Sequence, residues 1–545
     1  SRVDPDLPYG AWMEALVVLE EYLALQPMPD AMTGVRRLVY RGAAAETPEM
    51  AARRAEMEPR LARAAGAKVW GAGVAQDFRL GLDAVRAMQG RRYEEAERGL
   101  TAALGRPPLR VFRTDLLMAR AKVRAASGRS QEAIADLDEV VRVRPRWTDG
   151  WLHLGYARYA ADDAEGAIEA YDAVIAVDPR HVSALLNRGV ARWSMQKEDG
   201  ALADYAEVLR IEPGKQEALI NRSVLLLRRG EAEAALADAR EAATRHPGTA
   251  IVWVTLAQAL AATGNPNGAI EADAKAIGID PRFLEAWANR ANHRMLQGDH
   301  AGALSDVDEA IRIDGSLSLL WRNRAGAHRG LGDDQAVLSD LDRAVQVDPK
   351  DGVAWRELGT ARLQLQDLEG AVKAYGEAIV VDAQDAEAWT GRGVARYQLG
   401  QGDAAIADLT EAIRIAPTFG EAYTDRAVVY FGRREFKAAI ADCDAAIRIN
   451  EMDATAHFQR GVARFALGQR EEALADMGTA LDLDGSRPDW WAVRAQARRA
   501  LGDLDGAIED YRTALERTPE GWKIRGTIEG ELRSTEAERT AKRPR

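Results

Sequence analysis

The chain has 545 residues, 47% of them hydrophobic and 29% charged, with a formal net charge of -12 and a pI near 5.4. That length is more than a single compact core organises, whereas a repeat solenoid adds length without adding a second core. The acidic balance argues against a nucleic-acid scaffold, no run approaches the roughly 18 apolar residues of a membrane helix, and the lone Cys443 excludes an intrachain disulfide.

Residues 1–76 carry apolar residues at helical spacing but follow no fixed repeat. Trp12, Leu16, Leu19 and Leu23 mark a helix over 11–25 that Pro27 and Pro29 stop. Met32, Val35, Leu38 and Val39 form a second stripe ahead of Thr47, Pro48 and Glu49, where proline in a first turn signals a new helix. A stretch rich in Arg and Glu follows, with a kink expected at Pro59. Ser1 rather than Met opens the chain and no signal-peptide pattern follows it. That is expected of a mature or excised piece, and with no signal or membrane segment a cytoplasmic location is expected. Residues 77–113 hold Phe78, Leu82 and Val85, then Ala96, Leu100 and Leu104, an irregular helix pair out of phase with the rows beyond it.

From Thr114 the chain is one pattern written twelve times, in rows of 34 over residues 114–521. Trp253, Trp287, Trp321, Trp355 and Trp389 fall under one another without insertion or deletion. Row positions 4, 8 and 11, and again 20, 24 and 27, form the i, i+4, i+7 stripes of two amphipathic helices. Position 8 is small (Gly155, Gly189, Ser223, Ala257, Ala291, Gly393), as is position 20 except at Val337, which lets the two helix backbones approach with Trp filling the space beside them. Position 15 is usually Gly (Gly230, Gly264, Gly298, Gly332, Gly400, Gly468, Gly502), as a left-handed helix terminus requires. Pro179, Pro213, Pro281, Pro349 and Pro417 at position 32 end the second helix.

Two positions vary together. Where position 7 is Arg, position 23 is Asp, in nine rows running from Arg120 with Asp136 to Arg494 with Asp510. Where position 7 is Leu, position 23 is Ala: Leu154 with Ala170, Leu256 with Ala272, Leu358 with Ala374. Removing one partner of a buried ion pair costs about 3–5 kcal/mol, while replacing both by apolar residues is often neutral. These residues are therefore expected to meet out of water, as an internal lock rather than a binding site. After the last row, Ile524, Ile528 and Leu532 space one helix over residues 522–545 as a cap, with a frayed basic tail expected beyond Arg533 (Arg539, Lys542, Arg543, Arg545).

The row Trp151-Leu152-His153-Leu154-Gly155, with Ala167 and Pro179, closely resembles the tetratricopeptide repeat motif. The resemblance implies an all-α, right-handed superhelical solenoid of antiparallel helix pairs, here with a helical N-terminal region (1–76), a degenerate first repeat (77–113), twelve repeats (114–521) and a capping helix and tail (522–545).

Motifs for chemistry are missing: there is no HExxH, no CxxC pair and no P-loop, and Gly71-Ala72-Gly73 lacks the third glycine of a dinucleotide loop. No catalytic residue, metal or cofactor is expected. His293 and His328, at positions 10 and 11, read as packing or local hydrogen bonds, and Cys443 as a packed thiol. The sequon Asn221-Arg222-Ser223 lies on a helix at a packed position, and Asp162-Asp163 and Asp333-Asp334 fall at turns.

In this family the first helices line a concave wall where row positions 2, 5, 9, 12 and 13 meet the ligand. Carried onto this chain, those positions give Leu152, Tyr156, Tyr159, Leu186, Val190, Trp193, Ile220, Val224 and Leu227 in early rows, and Val394, Tyr397, Val428, Phe431, Phe458, Val462 and Phe465 in late rows. Asn292, Arg322, Arg329, Arg356, Thr360 and Gln364 lie between. The implied partner is a protein, an extended peptide or helix anchored by aromatic side chains, with an acidic group facing the three arginines. Alternatively, the first-helix side chains pack on one another and the arginines pair with Glu285 or Glu357. Position 9 is mostly Val, Thr, Gly or Tyr, so the Lys and Asn clamp of the chaperone-binding members is not reproduced. A non-enzymatic, monomeric protein-binding scaffold is expected, against two rivals: the recruiting arm of a kinase or glycosyltransferase whose catalytic domain lies elsewhere, and an end-to-end self-assembling solenoid.

Overall fold

The computed structural model describes residues 92–105, 113–519, 521–522 and 524–542. The helices expected at 11–25, around 32–39 and from Thr47, the stripe of Phe78, Leu82 and Val85, Gly71-Ala72-Gly73, and Arg543 and Arg545 lie outside them. The described residues form 26 helices, 24 of which alternate as first and second helices of pairs from Arg113–Ala126 to Leu504–Arg517. The chain divides into two compact units, Ser1–His293 and Arg294–Arg545, and each contains its own stack of antiparallel helix pairs.

The local rules that shape a pair are readable in the backbone. Position 15 is left-handed in all twelve rows: eight glycines there, Gly128 among them, have φ of 75–85°, and Asp162, Gln196, Gln366 and Arg434 adopt φ of 58–63° at the same place. The requirement belongs to the turn, so the four rows without glycine bear its strain. Second helices are commonly capped by the residue before them: Asp163 accepts from the Gly166 N–H at 2.8 Å and Asp333 from the Ala336 N–H at 3.0 Å. The paired acids at these turns are thus partly caps.

Within a pair, position 8 faces position 24. A Cβ on Gly155, Gly189 or Gly359 would lie 2.4–2.8 Å from the rings of Tyr171, Tyr205 or Tyr375. Glycine at one position makes room for tyrosine at the other. Ser223 is fully buried and donates to the Ala235 carbonyl at 2.9 Å, so the sequon sits in the packed seam. Cys443 occupies position 24 in its row, and burial pushes its thiol up to about 12.

The tryptophans pack beside the helix pairs as expected and also make a polar contact. Each position-4 indole N–H donates to the backbone carbonyl at position 32 of the row before, from Trp151 to Pro145 (2.9 Å), Trp253 to Pro247 (2.9 Å), Trp287 to Pro281 (3.0 Å), Trp355 to Pro349 (3.1 Å) and Trp389 to Ala383 (3.1 Å). The indole therefore pins one repeat to the turn that leads into it. Arg324 and Arg392, at position 7, lie 4.5 and 4.6 Å from the centroids of Trp321 and Trp389.

Those arginines also make the internal lock. Arg120, Arg188, Arg222, Arg392, Arg426, Arg460 and Arg494 grip Asp136, Asp204, Asp238, Asp408, Asp442, Asp476 and Asp510 with two N–H donors, one on each carboxylate oxygen. Arg324 places both donors on one oxygen of Asp340. The aspartate side chains are only 1–10% exposed. A second cation from position 11 completes the site: Arg124, Arg192, Arg396 and Arg464 reach the same carboxylates as their row neighbours at 2.7–2.9 Å. In two of the Leu–Ala rows that arginine turns back to the preceding repeat, Arg158 to Asp138 at 3.6 Å and Arg362 to Asp342 at 2.9 Å. His328, also at position 11, stands 3.7 Å from Asp340, and His293 lies 2.8 Å from the buried Asp273, so both histidines make local polar contacts.

Two ends of the described chain are packed. Tyr93–Leu104 buries Ala96, Leu100 and Ala103 and lies against Arg113–Ala126. The last helix, Arg525–Lys542, buries Ile528 and packs Ile524 and Leu532 against Ala495, Tyr511 and Ala514. It does not fray at Arg533. Arg499 holds Glu531 and Glu538 at 2.7 and 3.1 Å, Arg512 holds Glu536 at 2.6 Å and Arg539 holds Asp505 at 3.0 Å, so charge carries the helix on after its apolar stripe has ended.

Candidate functional site

First helices of neighbouring repeats touch one another directly, in addition to the contacts each makes with its own second helix. Their shared face carries the expected binding positions, and that contact decides which of those side chains remain open. Position 5 is drawn into the joint between first helices in three of the expected rows. Ile220 is 2% exposed and Phe458 6%, the latter stacked on Trp490 with centroids 4.5 Å apart, and Leu152 is buried likewise. Val190 at position 9 is buried as well, at 6%. These four expected contact residues are therefore core, because a neighbouring first helix covers them.

The others stay half-buried. In the first unit Tyr159, Leu186 and Trp193 pack one edge against the cluster of Val190, Tyr205 and Leu225, while Val224 and Leu227 lie against Leu219 and Leu256. Tyr156 sits edge-on to Tyr171 (6.0 Å between centroids) and accepts from Asn187 Nδ2 at 3.4 Å, and burial pushes its hydroxyl up to about 12. Asn292 is half-buried in the same unit. In the second unit Tyr397 packs on Leu409 and Val429, Phe431 on Ala427 and Cys443 beside Phe436 (5.3 Å), and Val462 and Phe465 on Met477. Val394 and Val428 are half-buried too.

Two of the three arginines of the expected cationic centre are already compensated. Arg322 reaches Glu357 at 2.8 Å and Asp351 at 3.6 Å, and Arg356 reaches Asp385 at 2.8 Å and Glu387 at 3.2 Å. Burial works against the charge of Arg322, but its hydrogen bond to Glu357 and the nearby carboxylates outweigh that and raise its pKa. Arg329 is exposed, as are Thr360 and Gln364. The most open apolar residues near these arginines, Leu296 at 82% and Leu319 at 53%, come from positions 13 and 2.

Sequence reasoning passed over position 6, which shares the open face. It reads His153, Asn187, Asn221, Thr255 and Asn289 in the first unit and Asn323, Glu357, Asp425 and Gln459 in the second, with Ala119, Gly391 and Val493 the only residues at that position without a polar side chain. Aligning the rows by their period of 34 is enough to find it. Asn187 also donates to the Ser183 carbonyl at 2.6 Å, and His153 Nδ1 meets the Asp149 carbonyl at 2.8 Å. Burial, with Lys122 adding to it, lowers the pKa of His153 and keeps its ring neutral. The described residues contain no group of three or more His, Cys, Asp or Glu side chains able to hold a metal ion, and no helix among them is long and apolar enough to cross a membrane.

Helix pairs in a fixed row, joined by an indole at each turn and leaving one face of first helices half open, are the architecture of a helical-repeat scaffold. A tetratricopeptide repeat model matches residues 118–175, 152–216, 220–282, 327–387, 356–418, 390–454 and 458–521, more than half of the chain. The chain belongs to the tetratricopeptide repeat family, whose arrays generally serve as protein–protein interaction scaffolds. No curated protein matches it. Among solved structures it is similar to the APC/C hetero-tetramer Cut9-Hcn1, with 14% identity over 84% of this chain and 96% of that one and a TM-score of 0.44. It is also similar to MamA protein (23% identity, 31% and 93% covered, TM-score 0.29). A third match is a tetratricopeptide repeat protein from Parabacteroides merdae (18% identity, 46% and 98% covered, TM-score 0.40).

Proposed function

We propose that this protein binds an extended peptide or a partner helix along the open face of its first helices and performs no chemistry of its own. One observation carries the reading: aromatic and aliphatic side chains recur on successive first helices, each packed along one edge and open along the other. Tyr156, Tyr159 and Trp193 do so in the first unit, and Val394, Tyr397, Val428 and Phe431 in the second. Anchors already fixed by packing lose little rotamer freedom on binding, which is what makes rigid aromatic groups effective contact points. Position 6 supplies the amides of Asn187, Asn221 and Asn289 in the first unit and of Asn323 and Gln459 in the second, suited to the backbone of an extended segment.

The set of expected contacts narrows accordingly. Val190, Ile220 and Phe458 act from below as support, and Arg322 and Arg356 bring paired rather than free charge. Replacing Tyr159 and Trp193 by Ala, or separately Phe431 and Phe465, and capturing partners from a lysate beside the unmodified chain tests the reading. Loss of a captured protein with helicity kept by circular dichroism is the expected result. Retention of every captured protein by both folded variants would overturn it. A monomer is expected alongside this function, since the last helix covers the end of the stack, and light scattering against concentration checks it.

A further inference from the structure

Asp425 stands apart from the other half-buried and buried aspartates of its unit. Asp340, Asp408, Asp442, Asp476 and Asp510 each hold at least one arginine. Asp425 lies on the first helix Gly420–Gly432 at position 6, facing the half-open surface, and among the described residues it has no hydrogen-bond or ion-pair partner. The adjacent Arg426 is committed elsewhere, to Asp442 through two bonds of 2.8 Å and to Thr410 at 2.8 Å. One turn before Asp425 stands Glu421, exposed and of the same sign. Burial, with the charge of Glu421 added, pushes the Asp425 carboxyl up to about 7.

Neighbouring positions on this face carry apolar and aromatic side chains. At the same row position in the preceding repeat stands Gly391, whose missing side chain leaves room for the ring of Tyr375, 2.4 Å from where a Cβ would be. Along the same helix Val428 and Phe431 are half-buried, and Tyr397 of the preceding first helix reaches over to Gly432, whose Cβ would meet its hydroxyl oxygen at 2.6 Å. The first helices Ala386–Gln398 and Ala454–Ala466 both touch this one. A carboxylate kept from water without a counterion is unfavourable, and here its like-charged neighbour makes it more so.

Resting on the reading of this face as a protein-binding surface, we propose that the Gly420–Gly432 face receives a lysine or arginine side chain of the bound segment. The cationic head meets Asp425 and Glu421, and the alkyl stem lies along Val428, Phe431 and Tyr397. This reverses the polarity that three arginines suggest in the sequence. Arg322 and Arg356 face carboxylates within the chain, whereas Asp425 meets no cation among the described residues. A long side chain with an apolar stem and a charged head fits such a place, and aromatic edges favour the cation further.

The test is selection of random 12-residue peptides from a display library on the full-length protein, followed by affinity measurement on chosen synthetic peptides. Peptides with a Lys or Arg flanked by apolar residues are expected. Asp425→Asn combined with Glu421→Gln should weaken them by about tenfold or more, as should replacing the peptide's Lys or Arg by Gln. The two changes together should cost little more than either alone. Glu377→Gln, which removes the same charge from an exposed site on a second helix, should leave affinity within twofold. Asp425→Asn removes an unpaired charge, so circular dichroism should show it folded. Peptides lost on replacing Tyr397 and Phe431 by Ala but indifferent to Asp425→Asn would overturn the cation site alone. Failure to select any peptide that depends on first-helix residues would overturn the underlying reading with it.

Discussion

Arg392, Asp408 and Arg396 offer the sharpest test of how the repeats are held. Asp408 is bound by Arg392 at 2.9 and 2.8 Å and by Arg396 at 2.7 Å, with only 3% of its side chain exposed. The three groups are not equivalent. Arg392→Leu leaves the carboxylate with one cation, and at about 1.5–3 kcal/mol for charge-assisted bonds the expected loss is about 2 kcal/mol. Asp408→Ala leaves two guanidinium groups facing a dry seam with nothing between them, and the expected loss is about 3–5 kcal/mol.

The double variant Arg392→Leu, Asp408→Ala recreates the pairing of Leu358 with Ala374 and should recover part of that loss, but it strands Arg396. In the repeat of Leu358 the corresponding Arg362 is satisfied by Asp342 of the preceding repeat, at 2.9 Å. For Arg396 the matching position is Gly376, where a Cβ would find its nearest neighbour, Arg392 Nη1, at 3.9 Å. Adding Gly376→Asp should therefore return stability to within about 1 kcal/mol of the unmodified chain, and Gly376→Ala, which fills the glycine without the charge, should not. Local opening measured by hydrogen exchange and mass spectrometry over residues 386–419 of the full chain reads these differences where a global melt of a long repeat array would blur them. Arg392→Leu costing more than Asp408→Ala, or Gly376→Asp doing no better than Gly376→Ala, would refute the reasoning.

Gln366 holds a left-handed φ of 63°, so Gln366→Gly should stabilise its repeat by about 0.5–1 kcal/mol in the same exchange measurement, whereas Gly230→Ala, at φ 77°, should destabilise. Gly155→Ala drives a methyl to 2.4 Å from the Tyr171 ring and should cost about 1–3 kcal/mol, with Gly155→Ala, Tyr171→Leu together recovering most of it by thermal denaturation. Trp389→Phe removes the indole donor to the Ala383 carbonyl and should lower the stability of the joint by about 1 kcal/mol, read as faster exchange on both sides of it. Asp425 has a higher pKa folded than unfolded, so the folded chain keeps a proton that the unfolded chain releases. Stability relative to Asp425→Asn should fall as pH rises from about 4 to about 7 and then level, by up to about 4 kcal/mol in urea titrations. A flat difference across that range would show Asp425 to be better solvated or better paired than its surroundings indicate.

Much of this protein is legible in one dimension because each repeat makes the same contacts at the same offsets. Gly at position 15, Pro at position 32, the small residue at position 8 and the linked Arg and Asp at positions 7 and 23 report backbone shape and side-chain contact within a single pair, so row alignment exposes them. The second arginine at position 11 was visible in the same alignment but went unread, since its aspartate already had a partner. The polar contact of the tryptophan is not legible in the same way. Its indole N–H finds a carbonyl in the preceding turn, and a hydrophobic stripe does not say that one edge of a residue is polar.

The sequence alone determined the helix pairs, their turns and the internal ion pairs, all short-range consequences of a period of 34. Only the tertiary structure decided which first-helix residues are open. Ile220 and Leu186 share row position 5 and Val190 and Val224 share position 9, yet the first of each pair is covered and the second keeps one edge free. Likewise Arg322 and Asp425 read as a cation and an anion until the packing shows that Arg322 already has its carboxylates while Asp425 has no cation. Exposure and net local charge depend on what the adjacent repeats place beside a side chain, and a repeat read in isolation does not contain that information.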